Sequence, residues 1–107
     1  MTNMHERQQA FESKFARDED FKFKVTARRN KLFGFWVAEQ LNLPPDAAEK
    51  YAKELVMVDM TAPGDDDLLD KVEDDMKKHH KPIPRTTLIA KLEAYFNDAR
   101  EQMMDVM

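Results

Sequence analysis

Apolar residues along this chain recur every three to four positions, and no window of four or more residues alternates strictly between apolar and polar as a half-buried strand would. The pattern predicts an all-α protein. From about Asp20 to Leu41, Phe21, Val25, Leu32 and Trp36 fall at spacings of four and seven, with Phe33, Val37 and Leu41 forming a second stripe beside them. Toward its end this helix is apolar on most sides, which places it at the centre of the fold, and Trp36 reads most simply as core. Gly34 within it costs about 1 kcal/mol relative to alanine, so it marks a close approach of another helix. "NLPPDAAEKYA" then stops the helix, because the residue before a proline is pushed out of the α region and two successive prolines cannot continue the hydrogen-bond ladder.

The same stretch opens a second helix over 46–60, with Asp46 and Glu49 spaced as a capping box and Ala48, Tyr51, Ala52, Leu55 and Val56 as its buried face. "TAPG" breaks it. A third helix over 65–79 carries acids in its first turn and Lys77, Lys78, His79 and His80 in its last, as the helix macrodipole favours, with Leu68, Leu69, Val72 and Met76 inward. After "KPIPRTT", which offers a threonine N-cap, Leu88, Ile89, Leu92, Phe96, Ala99 and Met103 predict a fourth helix over 85–104. Connections of about 3 to 7 residues make sequential helices antiparallel neighbours, so residues 19–107, with the first helix at 20–42, are expected to form an antiparallel four-helix bundle. Residues 1–18 are left over. Met4, Ala10/Phe11 and Phe15 fall at i, i+7 and i+11, but isolated helices of a few turns are marginal in water, so a mobile, partly helical N-terminal arm is expected until a partner binds it.

Composition narrows the classes of function. With 107 residues, 42% of them hydrophobic and 36% charged, the chain suits one domain with one modest core. Zero cysteines remove disulfides, cysteine-ligated zinc and thiol nucleophiles, which fits a reducing compartment. The longest apolar run, Leu32 to Ala38, is far short of the roughly 20 residues a membrane helix needs, and no signal-peptide segment opens the chain, so a soluble cytoplasmic protein is expected. The net charge of −4 is unevenly placed: residues 1–33 carry 8 Lys/Arg against 5 Asp/Glu, a net +3, and the remainder is net −7. A basic-leaning arm on an acidic body often separates an interaction segment from its scaffold.

Residues that could carry chemistry are few in this chain. His79 and His80 are adjacent and point about 100° apart on a helix, so they do not share the face that an i, i+4 metal site needs, and His5 is remote in the arm. Asp65, Asp66, Asp67 and Asp70 lack the turn glycine and closing glutamate of an EF-hand loop. Two glycines, Gly34 and Gly64, are too few for a Gly-rich phosphate cradle, and no nucleophile elbow or dinucleotide fingerprint occurs, so neither an enzyme nor a cofactor is expected. "ARRNK", residues 27–31, is the one basic cluster beside aromatics, but an acidic body with pI near 5.4 opposes nucleic acid. Arg28, Arg29 and Lys31 can therefore be read as a nucleotide-binding patch, with Arg28 and Arg29 alternatively structural partners for the carboxylates of the third helix or i, i+4 partners at the start of their own helix.

"FESKFARDEDFKFKVTARRNKLFGFWVAEQL", with "MHERQQA" before it and "DDDLLDKVEDDM" after, closely resembles the zeta subunit of alphaproteobacterial F-type ATP synthases, a small inhibitor protein. The resemblance covers essentially the whole chain, and its most specific part is Ala27 to Leu32 followed by Trp36, Ala38 and Glu39. It implies a bundle whose N-terminal segment, Met1 to about Arg17, inserts as a helix between catalytic and rotor subunits and blocks rotation in the hydrolysis direction. The implied partner is the catalytic head, its alpha, beta and gamma subunits, reached from the cytoplasm at the inner membrane by a chain that is a monomer when free. Met4, Arg7, Phe11, Lys14, Phe15 and Arg17 are the contact residues expected in that segment. The alternatives are a nucleotide-sensing regulatory bundle or an adaptor for another protein.

Overall fold

A computed structural model describes the backbone of residues 18–61 and 64–106 and the side chains of 20–59 and 64–104. Within that range the protein is all-α: α1 (Asp18–Gln40), α2 (Pro45–Thr61), α3 (Asp66–Lys78) and α4 (Arg85–Val106). Helix α1 packs lengthwise against both α2 and α4, while the shorter α3 touches α2 and α4. Asn30 faces Asp59 and Gly34 faces Ala52, so α2 runs antiparallel to α1. Arg28 meets Gln102 and Trp36 lies under Lys91, so α4 runs antiparallel to it as well.

Which face of α1 turns inward follows from side-chain size. Val25, Arg29, Phe33, Val37 and Leu41 are buried at a spacing of four, with Asn30, Gly34 and Ala38 buried beside them. Of the other expected stripe Val25 is buried but Phe21, Leu32 and Trp36 are only half-buried, and Phe23 and Phe35 are exposed. The small residues decide this. A Cβ on Gly34 would stand 2.6 Å from the Cα of Ala52, so the α1 and α2 backbones are in contact there, and the face bearing Gly34 and Ala38 becomes the central one. Trp36 sits at the rim of the core instead, stacked on Phe33 with centroids 6.0 Å apart and covered by Lys91 Nζ at 5.1 Å from its ring centre.

The core proper joins Phe33, Val37 and Leu41 to Tyr51 and Leu55 of α2, all four inward positions of α3, and Leu88 and Leu92 of α4. Ile89, expected inward, is 41% exposed, because Leu88 and Leu92 at i, i+4 already occupy the line facing α1 and the next residue turns about 100° away. Tyr51 crosses from α2 to α3 by donating a 2.7 Å hydrogen bond to Asp75 Oδ2. Burial first, then that bond and the charge of Asp75, push the Tyr51 phenol well above its ordinary pKa, so it stays a donor. Arg85, at the start of α4, reaches Asp66, Asp70 and Glu73 at 3.2, 2.8 and 2.8 Å, so α4 begins alongside the first turns of α3.

Helix ends account for the remaining differences from expectation. Asn42 (φ 58°) and His80 (φ 59°) adopt the left-handed conformation, and each is flanked by the paired bonds of a Schellman turn: Asn42 N–H to Glu39 O and Leu43 N–H to Ala38 O, His80 N–H to Lys77 O and Lys81 N–H to Met76 O. A proline follows two residues after each. Prolines also open α2 and α4. The Pro44 carbonyl accepts the first bond of α2, from Ala48, and the Pro84 carbonyl accepts those of α4, from Thr87 and Leu88. Pro45 and Arg85 are thus first helical residues, a position that suits proline, and Asp46 and the threonines lie inside the first turn rather than at the caps.

Adding one methyl group at the closest helix contact should cost more than the helix propensity it restores. Gly34→Ala is expected to destabilise the protein by about 2 kcal/mol, the overpacking cost exceeding the roughly 1 kcal/mol gained in propensity, and urea unfolding followed by circular dichroism measures it. An unchanged or higher midpoint would mean that α1 and α2 are not in backbone contact.

Candidate functional site

Residues 27–31 all lie on α1, where successive side chains diverge, and they serve three different neighbours. Arg29 is buried and donates to Asp65 through Nη1 at 3.3 Å and Nη2 at 2.8 Å, to Asp59 through Nη2 at 3.4 Å, and to the Asn30 side-chain oxygen through Nε at 2.9 Å. Asn30, 1% exposed, donates in turn to Asp59 at 3.0 Å. The guanidinium fork therefore ties α1 to the end of α2 and the start of α3 at once. Asp65 occupies the N-cap position of α3 without capping it through its side chain, since its carboxylate is engaged by Arg29. Arg28 points to the opposite side, donating to Gln102 of α4 at 2.8 Å, and Lys31 is exposed without an ion pair among the described residues. The three basic residues grouped in sequence as a nucleotide patch are thus not brought together, and a phosphate at Arg29 would have to displace two carboxylates.

Asp59 and Asn30 were not legible as members of this network from sequence. The available signal was Asn30 itself, a polar side chain one turn from Phe33 on the stripe that becomes central, which demands a hydrogen-bonding partner once buried. The adjacent histidines are also structural here: His79 lies 3.0 Å from the Asp75 carbonyl through Nδ1, and His80 supplies the left-handed residue that ends α3.

The first turns of α1 carry the feature that the core does not use. Met4, Arg7, Phe11, Lys14, Phe15 and Arg17 lie outside the described residues, and the chain they belong to joins α1 at Asp18. From there Lys22 and Lys24 are exposed and Phe23 is 52% exposed, a large aromatic surface for a helix that is otherwise the centre of the bundle. Two grooves flank this root. On the α4 side a groove of about 280 Å³ is lined by Phe21, Lys22, Val25, Phe96 and Arg100. On the α2 side a smaller one of about 180 Å³ includes Phe23, Thr26, Val56 and Asp59. No described helix is long and apolar enough to cross a membrane.

The family model for ATPase inhibitor subunit zeta matches residues 1–102 of the chain. A protein whose structure was determined by solution NMR is 40% identical, with a TM-score of 0.70, over 80% of this chain and 98% of that one. No curated protein matches.

Removing one carboxylate from the buried network leaves both the Arg29 guanidinium and the Asn30 amide short of a partner. Asp59→Ala is expected to cost about 2 to 4 kcal/mol of folding stability, against less than about 0.5 kcal/mol for the exposed Lys31→Ala, by denaturant titration. Equal small losses in the two variants would remove the structural role given to Arg29.

Proposed function

The chain belongs to the ATPase inhibitor subunit zeta family, and on that premise we propose that it inhibits ATP hydrolysis by the F-type ATP synthase through residues 1 to about 18, with the four-helix bundle as holder. The observation that carries this reading is the extent of the family match, which takes in the N-terminal segment as well as the bundle. The segment inserts as a helix between catalytic and rotor subunits, against alpha, beta and gamma, and blocks rotation in the hydrolysis direction. The chain acts from the cytoplasm, peripheral to the inner membrane while bound, and is a monomer when free. It performs no chemistry of its own.

The physics of the segment supports this. Phe11 and Phe15 are spaced i, i+4 with charges between them, the pattern of a helix that lays one face into a groove. Ordering the segment costs free energy, and burying the two rings returns roughly 1.5 to 3 kcal/mol each. Arg7, Lys14 and Arg17 pair with carboxylates at the rim, where charges steer association more than they anchor it, and Met4 extends the apolar face one turn or more toward the N-terminus. A helix wedged at a subunit interface stops a rotary cycle because the interface must open and close, and the wedge binds one of those states far better than the others. The structure bears on the holder: Arg29 and the Gly34 contact fix α1, so whatever precedes Asp18 is presented from a rigid base.

Removal of residues 1–17 is expected to leave the helical circular dichroism spectrum of the bundle and abolish inhibition of ATP hydrolysis by purified catalytic head. Replacing Phe11 and Phe15 by alanine in the full chain should weaken inhibition by at least about a hundredfold, the equivalent of roughly 3 kcal/mol of lost ring burial. Inhibition by the truncated chain equal to that of the full one would show that the segment is not the effector.

A further inference from the structure

Cations in this protein are distributed unevenly between those with partners and those without. Arg29, Lys53, Lys71, Lys78 and Arg85 all have a carboxylate within 4.0 Å. Lys22 and Arg100 are among the cations that have none among the described residues. These two face the same groove from opposite helices, Lys22 from α1 and Arg100 from α4, over a floor of Phe21, Val25 and Phe96. No carboxylate lines it among the described residues.

We propose that this α1–α4 groove is a second docking surface for the catalytic head, and that its occupant is an acidic amphipathic helix of that head. The inference rests on the inhibitor reading and adds a contact outside the inserting segment. An apolar trough of about 280 Å³ bounded by one cation on each side matches a helix that presents a short aliphatic row flanked by Asp or Glu. Arg100 offers a bidentate fork to one carboxylate and Lys22 a point charge to another. Charge complementarity at this groove orients the bundle as it approaches. Lys22 stands four residues after Asp18, where the inserting segment ends, so insertion holds the groove against the surface of the head at high effective concentration. The matching groove on the α2 side is less suited, because Asp59 lines it.

The test uses the full chain and purified catalytic head of an alphaproteobacterial synthase. With p-benzoylphenylalanine in place of Phe96, irradiation of the inhibited complex should cross-link to a head helix rich in Asp and Glu. Lys22→Glu combined with Arg100→Glu, both at exposed positions and checked for an unchanged melting midpoint, should slow the onset of inhibition about tenfold at low salt. That effect should shrink at about 0.5 M salt, where surface charges are screened within a few ångströms. Inhibition at saturating concentration should remain complete, in contrast to the Phe11 and Phe15 variant. A cross-link to residues 1–17 of the same chain would mean that the groove holds the chain's own segment, and would overturn the proposal. Full inhibition with no cross-link to the head, or with onset unchanged by the charge reversal, would overturn the groove contact alone. No inhibition by the wild-type chain would overturn the reading beneath it as well.

Discussion

The contact between Gly34 and the backbone at Ala52 is the constraint on which the other contacts of the bundle depend. Two helices whose backbones touch at one point have little freedom left in register or rotation. Fixing that point brings Arg29 and Asn30 opposite Asp59 one to two turns away, and it turns Phe33 and Val37 into the core rather than toward solvent. With α2 in place, Tyr51 is aimed at α3, where Asp75 receives its hydroxyl. Helix α4 closes the remaining side of α1 with Leu88, Leu92 and Ala99.

Arg29 adds a second kind of restraint, directional rather than steric. A buried guanidinium held by two carboxylates and an amide contributes little net stability relative to apolar packing, but it penalises any arrangement that leaves one partner unmatched. Its location matters for function. It lies on α1 between the core and the exposed root at Lys22–Lys24, so it braces the helix close to where the N-terminal segment joins. Under the proposed wedge mechanism, a base that rotated or frayed there would let the wedge slip.

Much of the fold was legible in the sequence because helical periodicity and proline punctuation act locally. The inward positions of α3, Leu68, Leu69, Val72 and Met76, are all buried, and Gly34 does mark a close approach. Periodicity could not choose between the two stripes of α1, since both are apolar and only the partner backbone distinguishes them. Trp36, which reads as core, lies at its rim for that reason, because the small residues on the other face take the central position. Cap positions were misread by one or two residues because proline carbonyls, which no side-chain rule describes, receive the first helical bonds. The Arg29 network joins residues 29 to 36 positions apart in sequence, and the pairing of a charge cluster across such a distance is a property of the packing. The α1–α4 groove escaped for the same reason: Lys22 and Arg100 become neighbours only when the helices run antiparallel.

The division of labour between segment and bundle is tested most directly by hydrogen–deuterium exchange on the full chain, free and in complex with purified catalytic head. Residues 1–17 are predicted to gain strong protection on binding, since a helix buried at a subunit interface hides its amides, while the buried stretches of α1 through α3 keep the protection they already have. Residues 1–17 exchanging at the same rate in the inhibited complex as in the free chain, with new protection confined to the bundle, would contradict the assignment of inhibition to that segment.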